Sequence, residues 1–163
     1  MKLIVTCFFI VFATTCFAQA PADSMSASAK SLGYEQYKGF YDGVDINNLD
    51  RIAILNHYPS PKKVIILKKE LALTADQTAQ ITAMNKELAR KMKEMGSLII
   101  KNENTLNELF RTKQITDGAL IFYANRYGGD IGELRNAMLQ TYLKTKDLLT
   151  PEQLKKYEEL QKP

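Results

Sequence analysis

The sequence predicts an all-α protein, an antiparallel hairpin of two long helices with short flanking helices. Three observations predict it. Apolar residues recur at three- and four-residue intervals over two long stretches, the period of a helix with one greasy face. Helix-start signals stand at the head of each stretch. No alternation of apolar and polar residues competes with them, so no strand is expected.

The first twenty residues stand apart. Lys2 supplies a positive start, Leu3 to Phe17 form an apolar run broken by threonines, and Ala18-Gln19-Ala20 has the small-residue pattern of a signal-peptidase site. Residues 1–20 are therefore expected to be a cleaved export signal, cut after Ala18 or Ala20. The run is short for a membrane span of about 20 residues. Both cysteines, Cys7 and Cys16, fall inside it, so the exported chain is expected to hold no disulfide and no thiolate metal site. About 143 residues would remain, enough for one domain held by an apolar core. With Lys2 removed the net charge falls from +4 to +3, without the clustered basic face of a nucleic-acid binder. No later apolar stretch reaches membrane-spanning length.

Residues 21–48 are expected to form a flexible leader. The part up to residue 33 is rich in Ser, Ala, Gly and Pro, and residues 34–60 mix Tyr, Asp, Asn and Gly without a sustained period. One short helix is expected near Leu49 to Leu55. The hairpin domain is placed at 49–163.

Ser60-Pro61 reads as an N-cap followed by proline at the first helical position. The helix it opens carries Val64, Ile65, Leu67 and Leu71 and should stop before Leu73. Thr74 and Gln77 have the spacing of a capping box, in which the side chains at both ends of the first turn satisfy each other's backbone N–H. The helix from Ala75 to about Thr112 should run roughly 55 Å at 1.5 Å per residue. Its stripe is Ile81, Met84, Leu88, Met92, Met95, Ile99, Leu106 and Phe110, confined to a band of roughly 80–90°. A turn at Lys113 to Ile115 leads to Thr116, a second N-cap. The return helix presents Leu120, Tyr127, Ile131, Leu134, Met138 and Tyr142 and ends near Leu149. Thr150 and Gln153 repeat the capping box for a final short helix, with Leu149 and Leu154 in the positions of a hydrophobic staple. So short a turn implies an antiparallel hairpin.

The return helix carries more apolar surface than one seam uses. Ile121, Leu139 and Leu143 lie to one side of Leu120, and Gly128 and Gly132 fall on that side too. A helical glycine costs about 1 kcal/mol relative to alanine, so close approach of another backbone is the expected offset. Leu98 and Ile100, flanking Ile99 just after Gly96, spread the apolar surface of the first long helix in the same way. These residues are candidates for client or dimer contact, unless the short helices cover them. Lys86, Arg90 and Lys93 make a basic stripe opposite the apolar one, with Arg90 placed to pair with Glu94. The stripe is either a solvated face or a contact for acidic segments.

Nothing reads as catalytic, and no cofactor or metal is expected. The single histidine, His57, lies in a loop without a set of partners. Asp42, Asp45, Asn47 and Asp50 miss the spacing of a calcium loop. There is no G-x-S-x-G, no phosphate loop and no H-E-x-x-H.

Leu73-Thr74-Ala75-Asp76-Gln77 and Leu149-Thr150-Pro151-Glu152-Gln153 are two copies of one signature, L-T-x-x-Q, flanking the hairpin at its base. With an export signal and a long hairpin, they resemble the Spy/CpxP-like family of periplasmic proteins. Leu55-Asn56-His57-Tyr58-Pro59-Ser60-Pro61-Lys62 looks like a segment found in a branch described as periplasmic heavy-metal sensors or resistance proteins. The resemblance covers about residues 49–160. It implies a periplasmic stress protein: an ATP-independent chaperone, a dimeric helical cradle that holds unfolded envelope proteins; or, alternatively, a heavy-metal sensing or resistance protein or a regulatory partner of a membrane-bound sensor. The metal-sensing branch carries histidines before the second signature, where this chain reads Ala137-Met138-Leu139-Gln140-Thr141-Tyr142.

Overall fold

A computed structural model describes residues 31–162; the expected export signal and the first part of the expected leader lie outside them. Among the described residues six helices follow in order: α1 (Tyr34–Asp42), α2 (Arg51–Leu55), α3 (Pro61–Ile66), α4 (Ala75–Arg111), α5 (Asp117–Leu148) and α6 (Pro151–Glu159). No strand occurs among the described residues. Helices α4 and α5 pack against each other as the expected hairpin.

Each of the later helices starts where its cap dictates. The Ser60 hydroxyl accepts the Lys63 N–H at 3.1 Å, ahead of Pro61. Thr74, Thr116 and Thr150 accept from Gln77, Ala119 and Gln153 at 3.1, 3.2 and 3.2 Å. Each oxygen thereby satisfies one of the N–H groups that a helix start leaves unpaired. Helix α4 closes at the tip through Lys113 in the left-handed region (φ +61°), with the N–H groups of Lys113 and Gln114 bonded to Phe110 and Leu109 carbonyls.

Two expectations are corrected. Regular helix in α3 ends at Ile66, and hydrogen-bonded turns carry the chain on to Ala72, which takes a left-handed φ of +47°. More important, the stretch from residue 34 to 48 is not an irregular leader. It contains α1, which packs on α4, and Leu32 and Phe40 join the core with Met95, Ile99, Leu134 and Met138. Gly96 is the reason this packing is possible. A Cβ there would lie 2.1 Å from the Phe40 carbonyl oxygen, so only glycine lets the two backbones touch. Helix α1 then ends on Gly43 at φ +69°, a left-handed cap that favours glycine.

A second cluster closes the base. Val64, Leu71, Ile81, Leu149 and Tyr157 are buried together, with Leu73 and Leu154 packed against them. The staple pair Leu149 and Leu154 thus belongs to one cluster, as the spacing predicts. Between the two clusters, the Tyr142 hydroxyl donates to the Asp50 carboxylate at 2.7 Å and ties the start of α2 to α5. Burial and that carboxylate push the Tyr142 phenol well above its ordinary range.

Candidate functional site

The two signature copies meet in space. The Gln77 side-chain amide donates to the Gln153 carbonyl oxygen at 2.8 Å, and Gln153 donates back to Gln77 at 3.0 Å. Each nitrogen has a second acceptor, the Leu148 carbonyl at 2.8 Å for Gln77 and the Leu71 carbonyl at 3.2 Å for Gln153. Each amide oxygen also accepts its own motif's threonine N–H, at 3.0 Å from Thr74 and 2.9 Å from Thr150. An amide has two donor and two acceptor positions, and in both glutamines all four are filled. The motif is therefore a clasp. It caps two helices and locks the head of α4 to the head of α6 with one pair of side chains. Leu73 and Leu149 lie beneath it in the lower cluster.

The other end of the hairpin is open. Asn102 is the last buried residue of α4; its side-chain nitrogen donates to the Tyr123 carbonyl at 3.0 Å, while its oxygen has no partner among the described residues. From Glu103 to Glu133 no residue is buried. Ile121 is 61% exposed and Phe122 56%, with Phe110 and Leu120 also exposed. The sequence places Phe110 and Leu120 on the seam; they occupy its uncovered tip.

The candidate contact residues separate into two groups. Leu98 and Ile100 are half-buried and pack against the upper cluster, which α1 covers. Ile121 and Leu143 are exposed on α5, with Leu139 half-buried. Ile52, Leu139 and Leu143 line a groove of about 430 Å³ between α2 and α5. At Gly128 and Gly132 a Cβ would meet nothing within 4 Å. Within this chain the close backbone approach is at Gly96.

The basic stripe is exposed. Arg90 bonds Glu87 at 2.6 Å and Glu94 at 2.9 Å, and these carboxylates raise its pKa. Lys93 packs beside Gly43, and Lys86 is exposed and forms no ion pair among the described residues. Lys91 crosses the seam to Glu133 at 2.7 Å, an exposed pair worth about 0–1 kcal/mol. His57 is exposed, in the left-handed region at φ +59°. Asp45 accepts the Asn47 N–H at 3.0 Å and the Asp50 N–H at 3.3 Å, while burial raises its pKa. No group of three or more His, Cys, Asp or Glu side chains is placed to hold a metal among the described residues, and no described helix is long and apolar enough to cross a membrane.

Sequence reasoning finds the clasp residues through their capping spacing, but not their mutual bonds, which span 76 positions of sequence. It misses Asn102 and the Asp50–Tyr142 bond. The only advance signal for either is polarity at a position of the apolar period.

No family model matches this chain, and no curated protein or solved structure matches it.

Proposed function

We propose that this protein is an exported envelope-stress protein that binds unfolded or misfolded proteins without ATP. The observation that carries the reading is the exposed apolar surface at the hairpin tip and along α5: Phe110, Leu120, Ile121, Phe122 and Leu143. Exposed apolar side chains gathered as Phe110, Leu120, Ile121 and Phe122 are at the tip mark a binding surface more often than single scattered ones do. A fully satisfied clasp holds the base while this surface stays accessible. The export signal and the paired L-T-x-x-Q motifs support the same reading through their resemblance to the Spy/CpxP-like family, which also implies a homodimer. Lys86 and Lys93 add positive charge that favours acidic stretches of a client. Regulation of a membrane-bound sensor is the alternative, and the same surface serves it equally. No specific observation favours metal sensing.

The test is suppression of aggregation. The mature chain, at near-stoichiometric ratio to a chemically denatured protein and without nucleotide, is expected to hold down light scattering. Ile121→Asp combined with Phe122→Asp is expected to remove most of that effect while leaving the thermal midpoint unchanged, because both side chains are exposed. No suppression by the unmodified chain overturns the proposal.

A further inference from the structure

A small pocket at the base, separate from the open tip, carries chemistry that client binding does not use. It has a volume of about 200 Å³ and lies where the loop before α3, the start of α3, the end of α5 and the end of α6 converge. Ser60, Lys63, Tyr157 and Gln161 line it with polar groups. Their bonds leave donors over.

The Gln161 amide oxygen accepts the Lys63 ammonium. The other end of that amide, its NH2 group, is buried and has no partner among the described residues. A desolvated donor pair without an acceptor is costly, so the site calls for an acceptor. The Tyr157 hydroxyl accepts the Ser60 N–H at 3.3 Å, and burial keeps its own proton in place. The Ser60 hydroxyl accepts the Lys63 N–H at 3.1 Å. Lys63 adds a full positive charge and further N–H groups. No Asp or Glu lines the pocket. The nearby Asp50 is engaged by the Tyr142 hydroxyl. The remaining lining residues are Ile54, His57, Tyr58 and Tyr142.

We propose that this pocket binds a small organic carboxylate, seated between the Lys63 ammonium and the Gln161 NH2 group with its short carbon body against the tyrosine and isoleucine walls. One fixed cation matches a monoanion. Charge-assisted bonds to a planar carboxylate suit the donor set, and the apolar walls suit an organic body better than a hydrated phosphate. The carboxylate could belong to a free small molecule or to the C-terminus of a peptide.

The experiment follows the Gln161 side-chain amide signals of the isotope-labelled mature chain by NMR, at constant ionic strength. The probes are N-acetylglycine, its uncharged amide N-acetylglycinamide, and inorganic phosphate. The acid is expected to shift the Gln161 signals and saturate at about 1–10 mM, a weak site by the usual affinity arithmetic. The amide is expected to leave them in place. In Lys63→Gln, with the backbone signals of α3 as a second reporter, the apparent Kd is expected to rise about tenfold, ~1.4 kcal/mol. Gln161→Leu, read through the same α3 signals, is expected to do the same. Equal response to acid and amide, response to neither, or tighter binding of phosphate overturns the assignment. A short peptide with a free C-terminus, set against N-acetylglycine, separates the two sources of the group, and saturable binding of either supports it. Loss of aggregation suppression with this site intact, or the reverse, keeps the two proposals distinguishable.

Discussion

The base and the tip of the hairpin are made from the same two helices, yet they end in opposite states. Toward the base, Ile81, Met95, Ile99, Leu134, Met138 and Tyr142 are buried. Toward the tip, Leu106, Tyr127 and Ile131 are only half-buried and Phe110 and Leu120 are exposed, although all five continue the same apolar stripes. The difference lies in what lands on the pair. At the base α1 and α3 pack on α4, and α6 adds Tyr157 to the lower cluster. Among the described residues only two helices meet at the tip, and two helices can bury a seam but not enclose it. Burial along a regular stripe is therefore decided by the third element, not by the stripe.

This contrast predicts unequal costs for equal substitutions. Ile99 is 0% exposed, and Ile99→Ala is expected to cost about 2–5 kcal/mol through lost transfer energy and the cavity left behind. Ile121→Ala at the open end should fall within about 0.5 kcal/mol, as surface changes do. Urea unfolding of both variants checks the ratio, and similar costs would break the distinction between the two ends.

The clasp sharpens it further. Gln77→Leu leaves the Leu148 carbonyl, the Thr74 N–H and part of the Gln153 amide without partners, and about 1–3 kcal/mol of destabilisation is expected. Gln153→Leu should cost a similar amount. Because the two amides bond each other, the double variant is expected to cost less than the sum of the single ones, a coupling that a double-mutant cycle reads directly. Additive costs would mean that each glutamine acts only as a cap for its own helix.

Alanine at two glycines is expected to act with opposite signs. Gly96→Ala drives a Cβ into the Phe40 backbone, so overpacking of about 1–3 kcal/mol should outweigh alanine's better helix propensity. Gly132→Ala meets nothing and should stabilise the monomer by roughly 0.5–1 kcal/mol. Thermal unfolding checks both signs.

Most of the architecture is legible in the sequence because helix starts are local chemistry. Ser60 with Pro61, Thr74 with Gln77, Thr116, and Thr150 with Gln153 each carry their own boundary, and the structure places helices accordingly. Helix α1 is not legible for a physical reason. Its nine residues bury only Gly39 and Phe40, too few to display a period, and its docking site is the absence of a side chain at Gly96. The candidate site divides along the same line. The clasp residues could be named from spacing, while the identity of the uncovered face could not, since Leu98 and Ile121 look alike until α1 is seen to cover one and not the other.

The most direct test of a locked base and an open tip is backbone hydrogen exchange, residue by residue, across α4 and α5. Amides around Ile81 to Ile99 and Leu134 to Thr145 are expected to exchange slowly, near the global unfolding limit. Those from Glu108 to Ala124 should exchange faster by local opening and slow down when a denatured client is added. Uniform protection along both helices, or faster exchange at the base than at the tip, would contradict the account.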